Sequence, residues 1–318
     1  MSDKKIVSLM IILCCSALVQ SISASVGKSL VAHWPFDEGT GTSLEDASGN
    51  GNDGDIKGGV KWIDGPFGKA LEFDGETGLA TIATSEKLNF GDDFSVLLWV
   101  RTTQVRAKNA DWWMGGWIIN KDMGGQQDTT DWAVANVDGK LAFVTGNKET
   151  DKDDIVASTK AISDGKWHHI ALTRVRKSGV NTIYFDGVKD ASLVKGLGLP
   201  VSNDVVMTIG GHPAGATHAF AGAVDDMAIF TKVLSADEIN LSIKNLLRII
   251  QCLNLKRSDT SHRIITVKSI FASCFQNQMD TGSISYDIAY MPQGFQTPAL
   301  TFPLDPSNSG FFNLVNVG

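Results

Sequence analysis

The sequence predicts an all-β protein made of many short strands. Roughly ten short apolar segments follow one another at spacings of about 8–20 residues, with almost no helical periodicity between them. Each segment is bounded by Gly, Asp, Asn or Pro, and the chain holds 32 glycines, which suit such turns. With 318 residues, of which 43% are hydrophobic and 20% charged, the chain can bury a substantial core. A sandwich or a barrel satisfies these features.

The predicted strands lie between residues 30 and 230. Two early segments, "DEGTGT" and "ASGNGNDG", are so rich in Gly, Asn and Asp that they are predicted loops. The predicted strands, in chain order, are "LVAHWPF", "ALEFDG", "LATIAT", "FSVLLWVRT", "WAVANV", "KLAFVTG", "WHHIALTRV", "NTIYFDG", "VVMTIGG" and "AGAVDDMAIF".

The first residues are typical of a secretory signal peptide. Lys4 and Lys5 precede an apolar run from Ile6 to Val19, which is short for a membrane span, and small residues follow it. We therefore expect residues 1–24 to be removed by cleavage near Ala24. The mature protein is then expected to be secreted and to have no membrane span.

Charge and cysteine content narrow the partners and cofactors. The formal net charge of −7 and the pI near 5.3 argue against a nucleic-acid partner, because such proteins are usually basic on the binding face. Beyond the signal peptide the chain keeps Cys252 and Cys274, which allow one disulfide in an oxidising compartment. Cys/His zinc spacing is absent from the sequence, so a zinc site is not expected.

A single short helix is predicted at the end of the β region. Ser235 and Glu238 in "LSADEI" form a capping box, in which each side chain accepts a hydrogen bond from the other residue's backbone N–H. A helical stripe that can pack on the sandwich follows, made of Ile239, Ile243, Leu246, Leu247 and Ile250. We assign the β domain to residues 25–242. Residues 243–318 are then a continuation of the helix and an irregular C-terminal extension.

An ordered set of motifs identifies the fold more specifically. The motifs are "HWPFDEGTGT", "DASGNGNDG", "GKALEFDG", "FSVLLWVRT", "DGKWHHIALTR", "IYFDGV" and "GAVDDMAIFTKVLSADEI". In this order they resemble the consensus of laminin-G-like jelly-roll domains of the concanavalin A-like lectin/glucanase superfamily, over about residues 29–242. The resemblance implies a two-sheet antiparallel jelly roll, often with one concave sheet. It also implies a non-catalytic module that binds glycans or proteins in secreted and cell-surface proteins.

A catalytic arrangement is not found in the sequence. Glucanase relatives carry carboxylates in a Glu-x-Asp-x-x-Glu type array, because glycoside hydrolysis needs an acid and a nucleophile at a fixed separation. Here "TDKDDI" is predicted to be a charged loop, and Asp225 and Asp226 in "AVDDM" are predicted to point to opposite faces of a strand. Lyase chemistry would need a base beside a neutralising group. The candidates for such a set are His168, His169, His212, His218, Arg174 and Tyr184.

The adjacent histidines of "DGKWHHIALTR" could indicate metal or base chemistry. Because a strand alternates faces, His168 and His169 are predicted to point in opposite directions and not to serve one site. We interpret the pair as structural, with one ring hydrogen-bonded in or near the core and the other at a strand end. The Trp-His-His run is also a common framework element of the family.

Calcium is the metal that the loops favour. It takes carboxylate, amide and carbonyl oxygens, commonly from loops rich in Asp, Asn and Gly. The family resemblance adds that many such modules hold a structural calcium where their first and last strands meet. Asp37 and Asp225 are the leading predicted ligands, with Asn52 and Asp74 as further ones; the same loops contain Asp46, Asn50 and Asp53. In the alternative interpretation these residues cap their own turns.

A Trp-rich segment is the candidate ligand site. In "ADWWMGGWIINKDMGGQQDTTDW" the tryptophans lie beside Asp and Gln, and sugars stack C–H faces on flat rings while their hydroxyls need fixed donors and acceptors. Trp117 and Trp132 begin strands and are predicted to pack inward. The predicted ligand-binding residues are Trp112, Trp113, Gln126 and Asp128. Because Trp112 and Trp113 are adjacent, only one of them can face a ligand if the loop is extended.

Three functions are compatible with these features. The sequence favours a secreted, non-catalytic recognition module that binds carbohydrate. The first alternative is a protein-binding adhesion module on the same fold, which would use rim loops. The second is a carbohydrate-active enzyme, a lyase or hydrolase, with titratable groups converging on the concave sheet. The expected partner is therefore a glycan or an extracellular protein, and calcium is the expected cofactor.

Overall fold

The computed structural model describes residues 27–89, 91–106, 111–121, 130–146, 153–196, 198–212 and 218–243, together with two short strands further on. The chain divides into two compact units, Met1–Gln251 and Cys252–Gly318. The predicted signal peptide, residues 1–24, lies outside the described residues.

Two antiparallel eight-stranded sheets form the first unit. The strands are β1 (Leu30–Trp34), β2 (Ser43–Leu44), β3 (Gly54–Lys57), β4 (Val60–Gly65), β5 (Gly68–Asp74), β6 (Leu79–Ile82), β7 (Phe94–Arg101), β8 (Gly116–Lys121), β9 (Trp132–Val137), β10 (Lys140–Thr145), β11 (Asp154–Ala161), β12 (His168–Val175), β13 (Val180–Phe185), β14 (Val188–Ser192), β15 (Met207–Ile209) and β16 (Ala221–Phe230). Sheet I has the order β14-β13-β12-β7-β16-β5-β4, with β1 paired to β16. Sheet II has the order β11-β10-β9-β8-β15-β6-β3-β2. The predicted all-β, two-sheet jelly roll is confirmed.

The core lies between the two sheets and follows from strand alternation. On β7 the even-numbered residues Phe94 to Val100 belong to the core cluster, whereas Leu97 belongs to a separate cluster on the outer face of sheet I. From sheet II, Trp132 approaches Phe94 with ring centroids 5.5 Å apart, and Phe143 meets the same ring edge-on at 6.1 Å. Aromatic packing of this kind adds to the stabilisation from burial itself.

One helix covers part of the outer face of sheet I. Helix α1 (Ala236–Ile243) begins with the predicted capping box: the Glu238 N–H donates to Ser235 Oγ at 3.3 Å, and the Ser235 N–H donates to Glu238 Oε2 at 2.9 Å. Ile239 and Leu234 pack against Leu97 and neighbouring apolar residues of the sheet. The helix prediction is confirmed as far as Ile243. Leu246, Leu247 and Ile250 lie outside the described residues.

A β-bulge interrupts β16 next to this covered zone. Asp225 pairs with Trp99, but the next pair is Ala228 with Leu97, so that β16 has an extra residue between them. Asp226 lies in the bulge with a positive φ of 50°, a conformation that Asp tolerates better than most residues. The bulge turns the Asp226 side chain toward His33 on the outer face. The prediction that Asp225 and Asp226 point to opposite faces is therefore wrong.

Every predicted strand is present. The further strands are short or lie at sheet edges, except the central strand β8, of which only the start at Trp117 was predicted. The segment "TDKDDI" was predicted to be a loop, but β11 begins inside it at Asp154. This strand lies at the edge of sheet II, where one side faces solvent and charged residues are favoured. Hydrophobic alternation is therefore too weak there to indicate a strand.

The second unit is described only by a pair of strands. Strands β17 (Ile284–Tyr286) and β18 (Leu300–Phe302) pair antiparallel. Within the described ranges of the chain, none of the helices is long and apolar enough to cross a membrane.

Candidate functional site

Five aromatic residues lie around the start of β8, and four of them are in ring contact. We call this set the aromatic cluster; the rings of Trp112, His212 and His218 contact Trp117, and Trp113 joins them through its backbone carbonyl. Trp117 pairs with Ala135 of β9, while the next β9 residue, Val134, belongs to the core. Because strand residues alternate, Trp117 and the cluster lie on the outer face of sheet II.

Stacking fixes the inner part of the cluster. The Trp112 and Trp117 rings are stacked with centroids 5.9 Å apart and an interplanar angle of 22°. On Trp117 the His218 ring stacks at 4.9 Å and 15°, and His212 meets it edge-on at 5.2 Å. Three roughly parallel rings thus form a rigid base.

Hydrogen bonds fix the loop that carries Trp113. Residues Trp112–Met114 form one 3₁₀ turn directly before β8. The Trp112 Nε1–H donates to Asp153 Oδ2 at 2.5 Å, and the Trp117 Nε1–H donates to the Trp113 carbonyl at 3.1 Å. With the backbone held in this way, the Trp113 side chain remains 45% exposed. The geometry offers a fixed, flat apolar surface to a ligand.

The structure separates the predicted tryptophans by role. Trp132 packs in the core as predicted. Trp117 is buried too, but it lies outside the core cluster and supports the aromatic cluster, so the prediction that it packs inward is wrong. The bulge between Trp117 and Ile119 and its pairing with Ala135 place it on the other face. Gln126 and Asp128 lie outside the described residues.

The adjacent histidines lie in different environments, as strand alternation predicts. His168 lies at the start of β12, with its two ring nitrogens 3.0 Å from Asp164 and Asp186 carboxylate oxygens. His169 is buried on the outer face of sheet I, edge-on to Trp99 at 5.4 Å. Burial lowers the pKa of His169 to about 4, against the opposing effect of Asp226 and Asp186.

Most of the other candidates for lyase chemistry lie apart from the histidine pair. His212 and His218 belong to the aromatic cluster on sheet II. Arg174 is on the core side of β12, where its Nη2 donates to the Leu199 carbonyl at 2.5 Å and burial lowers its pKa to about 10. Tyr184 packs beside the residues under α1 and pairs with Ala171, so it shares the outer face of sheet I with His169. Arg174, on the core side, and the two histidines of sheet II occupy other parts of the sandwich.

Two of the four predicted calcium ligands lie beside one turn. Asp37 Oδ1 accepts from the Lys69 N–H at 2.9 Å, and Asp225 Oδ2 accepts from the Phe67 N–H at 3.2 Å, so both approach the β4–β5 turn. Asp74 lies at the opposite end of β5, where its Oδ1 caps the turn that follows.

Asn52 belongs to a different loop from these three. Its side-chain amide donates to the Val31 carbonyl and to Asp46 Oδ2, at 2.9 and 3.2 Å. Among the residues that the structure describes, no group of three or more His, Cys, Asp or Glu side chains is arranged to hold a metal ion.

A buried polar network on sheet I was missed by sequence reasoning. His33 Nε2 lies 2.7 Å from Asp226 Oδ1, and Ser242 Oγ of α1 lies 3.4 Å from His169 Nε2. The Trp99 ring lies among these groups and meets Phe67 edge-on at 5.5 Å. No local pattern predicts it, because its members come from distant strands and depend on the β16 bulge.

The two-sheet jelly roll is a concanavalin A-like fold. The chain belongs to the concanavalin A-like lectin/glucanases superfamily, since a laminin G family model of that superfamily matches residues 74–240.

A mosquitocidal protein is similar to this chain in sequence, and its solved binding domain is similar in fold. Paraclostridial mosquitocidal protein 1 of Paraclostridium bifermentans is 27% identical over 157 residues, which are 46% of this chain and only 12% of that protein. The solved binding domain of that protein has a TM-score of 0.57 at 20% identity, over 70% of this chain and 53% of that one.

Two further solved structures share the fold. The binding domain of botulinum neurotoxin DC, in complex with rat synaptotagmin II, has a TM-score of 0.54 at 18% identity, over 70% of this chain and 52% of that one. Domain 4 of AbnA, a GH43 extracellular arabinanase from Geobacillus stearothermophilus, was solved with arabinotriose. It has a TM-score of 0.50 at 21% identity, over 67% of this chain and 97% of that one. At these identities the likeness concerns the fold.

Proposed function

We propose that this chain is a non-catalytic carbohydrate-binding module that stacks a sugar ring on Trp113. The observation that carries the proposal is a half-exposed indole, 45% accessible, held on a fixed turn next to the stacked rings of Trp112 and Trp117. The C–H face of a sugar gains from contact with such a ring.

Preorganisation supports this proposal. The Trp113 carbonyl already accepts the Trp117 indole N–H, and Trp112 is bonded to Asp153. Ligand binding then orders few additional groups, which lowers its entropic cost. The comparisons are in keeping with it, because the AbnA domain of the same fold was solved with arabinotriose.

The absence of catalysis is part of the same proposal. Arg174 is buried on the core side of sheet I, whereas His212 and His218 lie on the outer face of sheet II. A base and a neutralising group must both touch one substrate, and these side chains are not placed to do so. Secretion by the predicted signal peptide, residues 1–24, remains a part of the proposal that rests on the sequence.

Affinity electrophoresis through gels containing neutral polysaccharides, arabinan among them, tests the platform. We expect Trp113→Ala to weaken retention about tenfold, as the loss of a stacking anchor of roughly 1.4 kcal/mol implies. Trp113→Phe should retain part of the binding because a flat ring remains. Val194→Ala, at a side chain 98% exposed, is the matched control and should bind like wild type.

Two results would contradict the platform. One is Trp113→Ala retained like wild type on every polysaccharide that wild type binds. The other is wild type that is retained on none of them.

A protein partner is the second candidate function. Strand β14 is at the edge of sheet I, and its first residue, Val188, is 62% exposed. An edge strand with an exposed apolar side chain can accept an added strand from an extended peptide. Synaptotagmin II, the partner in the neurotoxin complex, is a concrete probe. Its binding, measured by surface plasmon resonance, should be lost in Val188→Lys and kept in Trp113→Ala; absence of binding to wild type removes the support for this candidate.

A further inference from the structure

A polar surface separate from the aromatic cluster lies on the outer face of sheet I, at the end of that sheet that α1 does not cover. We call it the charged row; it consists of Lys61, Glu72, Arg101 and Trp167. Glu72 pairs with Lys61 on one side and with Ala223 on the other, and Ala223 pairs with Arg101. Directly paired residues share a face, so these side chains project from the same side of four adjacent strands.

Trp167 completes the row at its β12 end. His168, the next residue, pairs with Val100, which puts Trp167 beside Arg101. The Arg101 guanidinium carbon lies 5.0 Å from the centroid of the Trp167 ring. A cation–π contact of this kind favours one orientation of the guanidinium. Trp167 is therefore a positioning residue for Arg101.

The charged row borders a depression of about 280 Å³. Lys61, Glu72, Arg101 and Thr103 line it together with Asp74. Arg101 Nη2 lies 3.4 Å from Glu72 Oε1, at the long limit of a hydrogen bond, and both side chains are partly exposed. Such a pair retains capacity for further hydrogen bonds to a ligand.

The order of the charges selects the ligand. Lys61 and Arg101 are donors, and Glu72 between them is an acceptor. An anion placed here meets the Glu72 and Asp74 carboxylates, and a cation meets Lys61 and Arg101. Hydroxyl groups both donate and accept, so adjacent hydroxyls of a neutral sugar can satisfy all three groups of the row.

We propose that the charged row is a second subsite, which binds a neutral sugar through hydrogen bonds to its hydroxyl groups. The proposal rests on the proposed carbohydrate-binding function but not on Trp113, because the row lies on sheet I and the aromatic cluster lies on sheet II. The two surfaces use different chemistry: ring stacking at the cluster and charge-assisted hydrogen bonding at the row.

Isothermal titration of the full-length chain with a soluble neutral polysaccharide tests this subsite. The test variants are Glu72→Ala and Lys61→Ala, and Glu86→Ala is the matched control at an exposed carboxylate outside the depression. We expect each test variant to weaken binding by about tenfold or more, the loss of one hydrogen bond to a charged group. The control should bind like wild type, and thermal melting should show all variants folded.

Combination with Trp113→Ala separates the two proposals. Glu72→Ala and Trp113→Ala are expected to weaken binding independently. If the loss of affinity in the double variant equals the product of the two single fold-losses, both surfaces bind sugar. Normal binding by Glu72→Ala and Lys61→Ala, with loss in Trp113→Ala, overturns the charged row and leaves the platform. The reverse pattern overturns the platform alone. If neither the charged-row variants nor Trp113→Ala weaken binding, or if wild type does not bind, both the charged row and the platform are overturned.

Ionic strength provides an independent check. Hydrogen bonding to a neutral sugar predicts nearly the same affinity at low and high salt, because no net ionic attraction is screened. Binding of an acidic polysaccharide that exceeds that of its neutral counterpart, and that falls steeply with salt, would show that the row recognises anions and would overturn the proposed ligand class.

Discussion

His33 Nε2 and Asp226 Oδ1 lie 2.7 Å apart, although 193 positions separate the two residues in the chain. Both are buried, His33 on β1 and Asp226 in the bulge of β16. Buried polar groups are costly unless they are paired. The contact therefore specifies how the first strand of the jelly roll joins the last one.

Asp226→Ala should destabilise the fold strongly. The substitution leaves the His33 ring without this partner and places alanine at a φ of 50°, so we expect a loss of about 3 kcal/mol in the free energy of unfolding. Asp226→Asn should lose about 1 kcal/mol, because Asn tolerates this backbone conformation and can still bond to the ring. Urea denaturation measures both values. Equal losses for Ala and Asn would contradict the role of the pair.

Burial of His169 makes the stability depend on pH. Its pKa in the folded protein is about 4, below the ordinary histidine value of 6.5, so the unfolded chain takes up this proton first as the pH falls. Stability is therefore unaffected by this group above about pH 6.5 and falls by roughly 3 kcal/mol between about pH 6.5 and about pH 4.

Comparison with His169→Gln isolates this effect. Gln does not titrate, so the variant should lose less stability than wild type when the pH is lowered from about 7 to about 5. Denaturation of both proteins at both pH values gives the stability that each one loses. The difference between the two losses reports His169, because the carboxylates contribute equally to both. Parallel losses in the two proteins would contradict a buried, neutral His169.

Calcium binding remains a prediction, which the structure makes more specific. Only Asp37 and Asp225 of the four predicted ligands lie beside the same turn. Calcium should raise the melting temperature of wild type, and Asp37→Asn should abolish the increase while Asn52→Ala and Asp74→Asn retain it. The measurement is thermal melting with calcium or with a chelator. An unchanged wild-type midpoint would rule out this ion.

The capping box is expected to stabilise helix α1 measurably. Ser235→Ala removes the oxygen that accepts the Glu238 N–H, and loss of such a cap costs about 1 kcal/mol. Because Ile239 of the helix packs on the outer face of sheet I, the loss should appear in the unfolding free energy of the whole domain. Ser235→Thr, which keeps the hydroxyl, is the control. If Ser235→Thr lost as much unfolding free energy as Ser235→Ala, the capping role of the hydroxyl would be contradicted.

Strand alternation and turn residues were sufficient to predict an all-β sandwich or barrel, and the resemblance to laminin-G-like domains specified the jelly roll. The core strand β7 and the capping box at Ser235 depend on neighbours in the chain, which a sequence pattern records. Edge strand β11 was missed because most of its side chains are exposed and because it begins inside a charged run. Hydrophobic patterns therefore predict a strand well where one of its faces is completely buried.

The candidate site was only partly predictable for a related reason. The Trp-rich loop is visible in the sequence, and the structure leaves Trp113 exposed there. The face taken by Trp117 depends on a bulge in β8, and the partners His212 and His218 come from a distant segment. The charged row joins residues of β4, β5 and β7 through strand register, with Trp167 beside them, and one sequence does not reveal that register.

The pairing of β1 with β16 also bears on how such a domain can be used in larger proteins. The Thr231 N–H donates to the Ser29 carbonyl at 2.8 Å, so the first and last strands of the sandwich begin and end at neighbouring points, before α1 continues the chain. A domain whose entry and exit are adjacent can be inserted into a loop of another protein with little distortion of the host. This jelly roll is therefore suited to insertion as a whole domain into other proteins.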